Sequence, residues 1–222
     1  MCRYKELINH AVNAGVRVMN ISMGSNNIDD WTCFATAAQN SPSVLFVVSA
    51  GNNGRNIDEH PVYPAALSLD NLFVVSSSDH FGRPGAASNT GSQHVDIFVP
   101  AEQVSVTDHR GVRTTTGGTS YAAPRVAALA VRYLRANPDA DTQQIISFLR
   151  KRAISGQGNI SAFGWIPDPT DDFGFESAKA SFTKDSARGN AAGLCTRISA
   201  RTSSANSLSF SIPAVWSPSL SA

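Results

Sequence analysis

Charged side chains are scarce in this chain. Lys, Arg, Asp and Glu make up 16% of its 222 residues and nearly cancel, to a net +1; soluble domains usually carry about a quarter. With no basic stripe, nothing is offered to a phosphate backbone, and no nucleic acid partner is expected. Cysteine is scarce too. Cys2, Cys33 and Cys195 lack the paired spacing of a zinc site, so no metal site is expected from them. Cys2 can pair with Cys33 only if the fold brings them within reach, and three cysteines fix neither an oxidising nor a reducing compartment. No apolar run approaches the length that crosses a bilayer, so no membrane partner is expected. The opening stretch MCRYKELINHAVNAG has no apolar core of signal-peptide type, which leaves the location unknown.

What is present is small and apolar enough for one domain with a substantial core. Leu7, Ile8, Ala11 and Val12 recur at helical spacing and Gly15 fits a helix C-cap, so the chain is expected to open on an amphipathic helix. A β-branched run follows over residues 16–24. Trp31, Phe34, Ala35 and Ala38 then share a helical face, with Asp29 or Asp30 as cap candidates. Residues 44–48 are apolar on both faces, as a buried parallel strand should be; residues 71–78 repeat the pattern and residues 95–100 form a fourth short run. Strands alternating with helices predict an α/β fold with a doubly wound, mostly parallel sheet. Ligands bind at the carboxyl ends of such strands. Two loops there look chemical: Ser22-Met23-Gly24 and Ala50-Gly51-Asn52-Asn53-Gly54.

Residues 114–138, TTTGGTSYAAPRVAALAVRYLRANP, are the most informative. Gly117 and Gly118 permit a turn closed to larger residues, and Thr119-Ser120 leads into a small, apolar helix that should be buried. Its early Pro124 is expected to be tolerated because first-turn amides have no intrahelical acceptor. A serine at such a helix mouth faces free N–H groups and about half a unit of positive charge, which favours a developing oxyanion. By position alone, the commoner role is a plain N-cap. Ala122 stands where a Gly-x-Ser-x-Gly elbow needs glycine, which disfavours an α/β-hydrolase.

The segment GGTSYAAPRVAALA resembles the Gly-Thr-Ser-x-Ala-Ala-Pro signature of the subtilisin-like serine proteases, the subtilases. VRVMNISMGS, VVSAGNNG, VYPAAL, VVSSSD, ASNTG, VDIFVPA and DDFGFESAKA resemble further family segments in the family's order. The likeness runs from about residue 4 to about residue 180. It implies a partial catalytic domain over 1–182, with 183–222 left as a Ser- and Ala-rich tail, disordered or the start of a further domain. Carried over position by position, it implies that Ser120 is the nucleophile of a peptide-hydrolysing enzyme and that Asn52 donates its side-chain amide to the oxyanion. Ser22, Met23 and Gly24 would line the substrate cleft, and Ala50, Gly51 and Gly118 the primary specificity pocket. Tyr63-Pro64 is implied as a cis bond. The partner implied is a protein or peptide substrate, with no cofactor needed for the chemistry; structural calcium and an extracellular setting are implied for the complete family member.

The resemblance also implies residues that are not here. The family's Asp-Ser/Thr-Gly and His-Gly-Thr-His motifs lie upstream of the matched segments, and neither occurs in the chain. His10, His60, His80, His94 and His109 each read more simply as surface or loop residues, with His109 at a hairpin tip. An N-terminally truncated subtilase, without its catalytic Asp and His and without some strands of its sheet, is the expectation. An unpaired parallel edge would remain. The rival expectations are a non-catalytic peptide-binding protein that pairs extended chains with its cleft strands, or an inactive gene fragment. Two positions depart from the family pattern: Ala101-Glu102 stands where glycine usually follows Pro100, and Arg125 where histidine usually follows Pro124.

Overall fold

A computed structural model describes residues 3–155, 158 and 160–170. Its centre is a four-stranded parallel sheet of β1 (Val18–Ile21), β2 (Leu45–Ser49), β3 (Leu72–Ser78) and β4 (Ile97–Pro100), hydrogen-bonded in chain order. Val47 pairs with Asn20 on one side and Phe73 on the other, and Val75 pairs with Ile97. The side-chain period of two sorts these strands onto two faces. Leu45, Val47, Phe73, Val75, Ile97 and Val99 face α3 (Thr119–Ala136) and α4 (Thr142–Arg152). Phe46, Val48, Leu72, Val74 and Phe98 face the other way, towards α1 (Arg3–Asn13) and α2 (Thr32–Gln39). There Tyr4, Trp31, Phe34 and Phe46 stack in a chain of rings with centroids 5.3–6.0 Å apart. The expected α/β fold, with helices on both faces of a parallel sheet, is what forms.

Every residue of β2, β3 and β4 is buried, which is why their sequences are continuously apolar or small. Burying one large apolar side chain is worth roughly 1.5–3 kcal/mol, so Phe46, Phe73 and Phe98 are large single contributors to holding the sheet. β1 is different. Its residues are only partly buried and Asn20 is exposed, and no strand pairs with its outer edge among the described residues. An antiparallel hairpin, β5 (Val104–Thr107) and β6 (Arg113–Thr116), precedes α3 with His109 near its tip.

Local details both match and correct the expectations. Gly15 has φ +79° after α1, and the Tyr63-Pro64 bond is cis. Asn27, not Asp29 or Asp30, caps the short 3-10 turn Ile28–Trp31 by accepting from the Asp29 amide, and α2 has no side-chain cap. Ala37 is buried on α2, whereas Ala35 is only partly buried. α4 was unforeseen, although Asp141 and Gln144 form a reciprocal capping box at its start. Cys33 is disulfide-bonded; Cys2 and Cys195, its possible partners, lie outside the described residues, as do DDFGFESAKA and the tail.

Candidate active site at the mouth of helix α3

Ser120 is not a cap. Gly118 caps α3, with φ +119°, a conformation that L side chains rarely adopt. Ser120 sits in the first turn, where helix amides lack intrahelical acceptors. The Thr119 amide donates instead to Asn52 Oδ1 at 2.9 Å, while the amide of Ser120 has no hydrogen bond among the described residues. The tolerance of Pro124 also needs correction. It is the sixth residue of α3, so its missing N–H would have bonded to the carbonyl of Ser120. That carbonyl accepts the Ser22 hydroxyl at 3.1 Å, and Asn20 Nδ2 in turn donates to Ser22 Oγ at 3.0 Å. Proline thus frees one acceptor, and the loop after β1 fills it.

Asn52 follows β2 in a loop built around a buried residue that the motifs did not single out. Asn89 is completely buried. Its Nδ2 donates to the Ala50 carbonyl at 2.9 Å, and its Oδ1 accepts from the amides of Asn53 and Arg55 at 3.0 and 3.2 Å. Gly51 must be glycine: φ is +94°, and a Cβ would stand 2.7 Å from Asn89 Nδ2. The Gly51 amide donates to Thr119 Oγ1 at 3.2 Å, locking the loop to the start of α3. Because a backbone amide can only donate, the Asn52 atom facing Thr119 must be oxygen. Nδ2 is left without a hydrogen-bond partner among the described residues. Asn53 lies in a bend, its amide held by Asn89.

Ser22, Met23, Gly24, Gly51, Asn52 and Ser120 line one open cavity of about 270 Å³, together with Ser25, Asn26, Asn53, Val62 and Thr119. Gly24 lies against Tyr63, where a Cβ would meet the carbonyl oxygen at 2.8 Å, and Ser25 exchanges two backbone hydrogen bonds with Tyr63. Ala50 and Gly118 do not line the cavity. Ala50 is buried, and Gly118 lies against Asn52, whose Oδ1 would be 3.1 Å from a Cβ there. Among the described residues no ionisable side chain lines the cavity, so its polarity there comes from amides, hydroxyls and the positive end of α3.

None of the five histidines reaches this cavity. His94 pairs elsewhere, with Nδ1 2.8 Å from Asp58 Oδ1, near the start of β4, whereas the cavity lies at the carboxyl ends of the strands. Burial works against ionisation of Asp58, but hydrogen bonds from His94, the Gln93 and His94 amides and Ser92 hold its carboxyl below the ordinary range. Burial pushes Asp96 up to about 6, against the Val74 amide and Arg150. Among the described residues no three His, Cys, Asp or Glu side chains converge to hold a metal ion. No helix among them is long and apolar enough to cross a membrane.

The family model described as Subtilase family, Peptidase_S8, matches residues 3–176. The chain belongs to the subtilase family. Among its curated relatives, the M-protease of Shouchella clausii strain KSM-K16 is 30% identical over 69% of this subtilase and 39% of its own length. The alkaline serine exoprotease A of Vibrio alginolyticus is 32% identical over 66% of this chain and 27% of its own. The subtilase therefore spans well under half the length of these two relatives. The self-cleaved protease domain of PatA superposes with a TM-score of 0.62 at 27% identity, covering 78% of this chain and 67% of that one. A cold adapted subtilisin-like serine proteinase superposes with the same score at 24% identity, over 74% and 60%, a likeness of fold. The family is one of subtilisin-like serine endopeptidases, whose members act on proteins or peptides.

Proposed function

We propose that this chain is the nucleophile-bearing part of a serine endopeptidase whose catalytic His and Asp come from a segment outside residues 1–222. One observation carries the reading. Ser120 and Asn52 line the same cavity, and two donors there, the Ser120 amide and Asn52 Nδ2, have no hydrogen-bond partner among the described residues. Such a pair suits the oxygen of a tetrahedral intermediate. Ser120 Oγ attacks the peptide carbonyl, the external His takes its proton and returns it to the leaving amine, and water then hydrolyses the acyl-enzyme. An extended substrate pairs with the loop at Ser22–Gly24, as β-strand addition requires. The disulfide at Cys33 supports an extracellular setting for the whole protein.

The full-length gene product tests this. It is expected to carry Asp-Ser/Thr-Gly and His-Gly-Thr-His upstream, to hydrolyse labelled casein and to take up a fluorophosphonate, with Ser120→Ala abolishing both. Removing the base costs subtilisin itself about a millionfold in turnover, so residues 1–222 alone should label at least about a thousandfold more slowly. Equal labelling would refute the need for an external base. A cavity lined by no ionisable group also favours a second reading, a peptide-binding protein without chemistry. A stop codon upstream and no such motifs would decide for it.

A further inference from the structure

Arg55 follows directly on the Asn52–Gly54 turn, and its amide is one of the two that Asn89 Oδ1 holds. Its half-buried side chain crosses to the loop after β1, where Nη2 donates to Asn26 Oδ1. Asn26 is exposed and lines the cavity around Ser120. The guanidinium therefore stands directly behind the cavity wall. The loop after β1 and the loop after β2, which form two sides of the cavity, are joined through it.

Most of this cation is uncommitted. Asn26 takes one N–H and leaves the other outer donors free. Nε is buried without a hydrogen-bond partner among the described residues, so it is closed to any ligand; the outer nitrogens beside Asn26 are the reachable ones. No carboxylate among the described residues forms an ion pair with Arg55. Of the acids close by in sequence, Asp30 accepts the Ser25 hydroxyl at 2.7 Å, Asp58 is paired with His94, and Glu59 Oε1 accepts from Asn56 Nδ2 at 2.9 Å. Asp29 is exposed and pairs with no cation. The described lining offers no charge of its own, so Arg55 is the cation that a side chain entering the cavity would meet beyond Asn26.

We propose that Arg55 is a specificity-determining residue that makes the cleft prefer a peptide presenting a glutamate side chain to this cavity. The inference rests on the reading of the cavity as a peptide cleft, and not on hydrolysis. Met23 and Val62 in the lining give the two methylenes an apolar wall. The carboxylate then accepts from the outer nitrogens of Arg55, a charge-assisted contact. Glutamate suits better than aspartate because the guanidinium lies behind Asn26 rather than in the lining itself. Lysine is repelled by the same charge. Arg55 takes no part in the chemistry at Ser120.

Fluorescence anisotropy on the 222-residue chain tests this with labelled pentapeptides, N-acetylated and C-amidated: Ala-Ala-Glu-Ala-Ala, and the same peptide with glutamine or lysine at the centre. The glutamate peptide should bind at least about fivefold more tightly than its glutamine isostere, and the ratio should shrink between about 0.05 and 1 M salt. Arg55→Gln should bring the ratio close to one, Arg55→Lys should keep part of it, and Arg55→Glu should turn the preference towards lysine. Arg83→Gln, outside the cavity, removes the same charge and should leave the ratio intact. Circular dichroism checks that each variant folds, and the salt dependence of the unmodified chain decides the matter even if one does not. The glutamine peptide reports on the cleft without Arg55. If it binds and the glutamate peptide binds no better, or if a folded Arg55→Gln keeps the preference, this proposal alone is overturned. If no peptide binds, the cleft reading falls and this proposal with it.

Discussion

Asn89→Ala is expected to be the most damaging single change to the active-site loop that leaves every proposed catalytic atom in place. The side chain is completely buried and makes three well-formed hydrogen bonds to backbone groups of residues 50, 53 and 55. At about 1 kcal/mol net for each, the loss is about 3 kcal/mol. The freed Asn53 and Arg55 amides belong to residues that are not buried and can reach water, whereas the Ala50 carbonyl is left unpaired in a buried residue, so about 3 kcal/mol is a lower bound. The backbone bonds of Asn89, to the Gly51 carbonyl and from Ser76 Oγ, survive and limit the damage. With a urea slope of about 2 kcal/mol/M, the midpoint should fall by roughly 1.5 M, read by far-ultraviolet circular dichroism at 25 °C. A fall of less than about 0.5 M would refute the view that Asn89 holds this loop.

Two further changes probe geometry and ionisation. Gly118→Ala forces a Cβ into φ +119° and to 3.1 Å from Asn52 Oδ1, so a loss of about 1–3 kcal/mol is expected, a fall in Tm of roughly 3–10 °C by thermal scan; an unchanged Tm would show that the loop relaxes freely. Asp96 has its carboxyl raised from 3.8 to about 6 by burial. A raised folded value means that its contribution is complete below the unfolded value and is lost as pH rises through about 6. Stability relative to Asp96→Asn should therefore fall by about 2 kcal/mol between about pH 4.5 and 7.5. Parallel curves for the two proteins in urea titrations would refute this.

Much of the fold could be read because its strands are buried on both faces. Residues such as Val47 and Val75 have no polar neighbour to blur the pattern, so three of the four strands were located within a residue or two. α4 is harder to read because its start, the capping box of Asp141 and Gln144, follows the end of α3 by only a few residues. At the site, the motif around Ser120 and the Ala-Gly-Asn turn pointed to the right loops, which the fold does bring together. Asn89 stayed hidden for a physical reason: its partners lie 34–39 residues away, and an asparagine in ASNTG reads locally as a turn residue. The partnership of Pro124 with Ser22 was hidden likewise, since a carbonyl freed inside a helix has no signature of its own.

The bonds that compose the site join remote parts of the chain. Ser22 to Ser120 spans 98 residues, Gly51 to Thr119 spans 68, and Thr119 to Asn52 spans 67. Each can form only after long stretches of backbone have been closed into loops, and that entropy is lost before the contact returns anything. The constellation at the mouth of α3 is therefore a late product of folding, assembled when the sheet is already in place. A peptide cut out around Ser120 would keep the signature and lose the site, because the signature is local and the chemistry it marks is not.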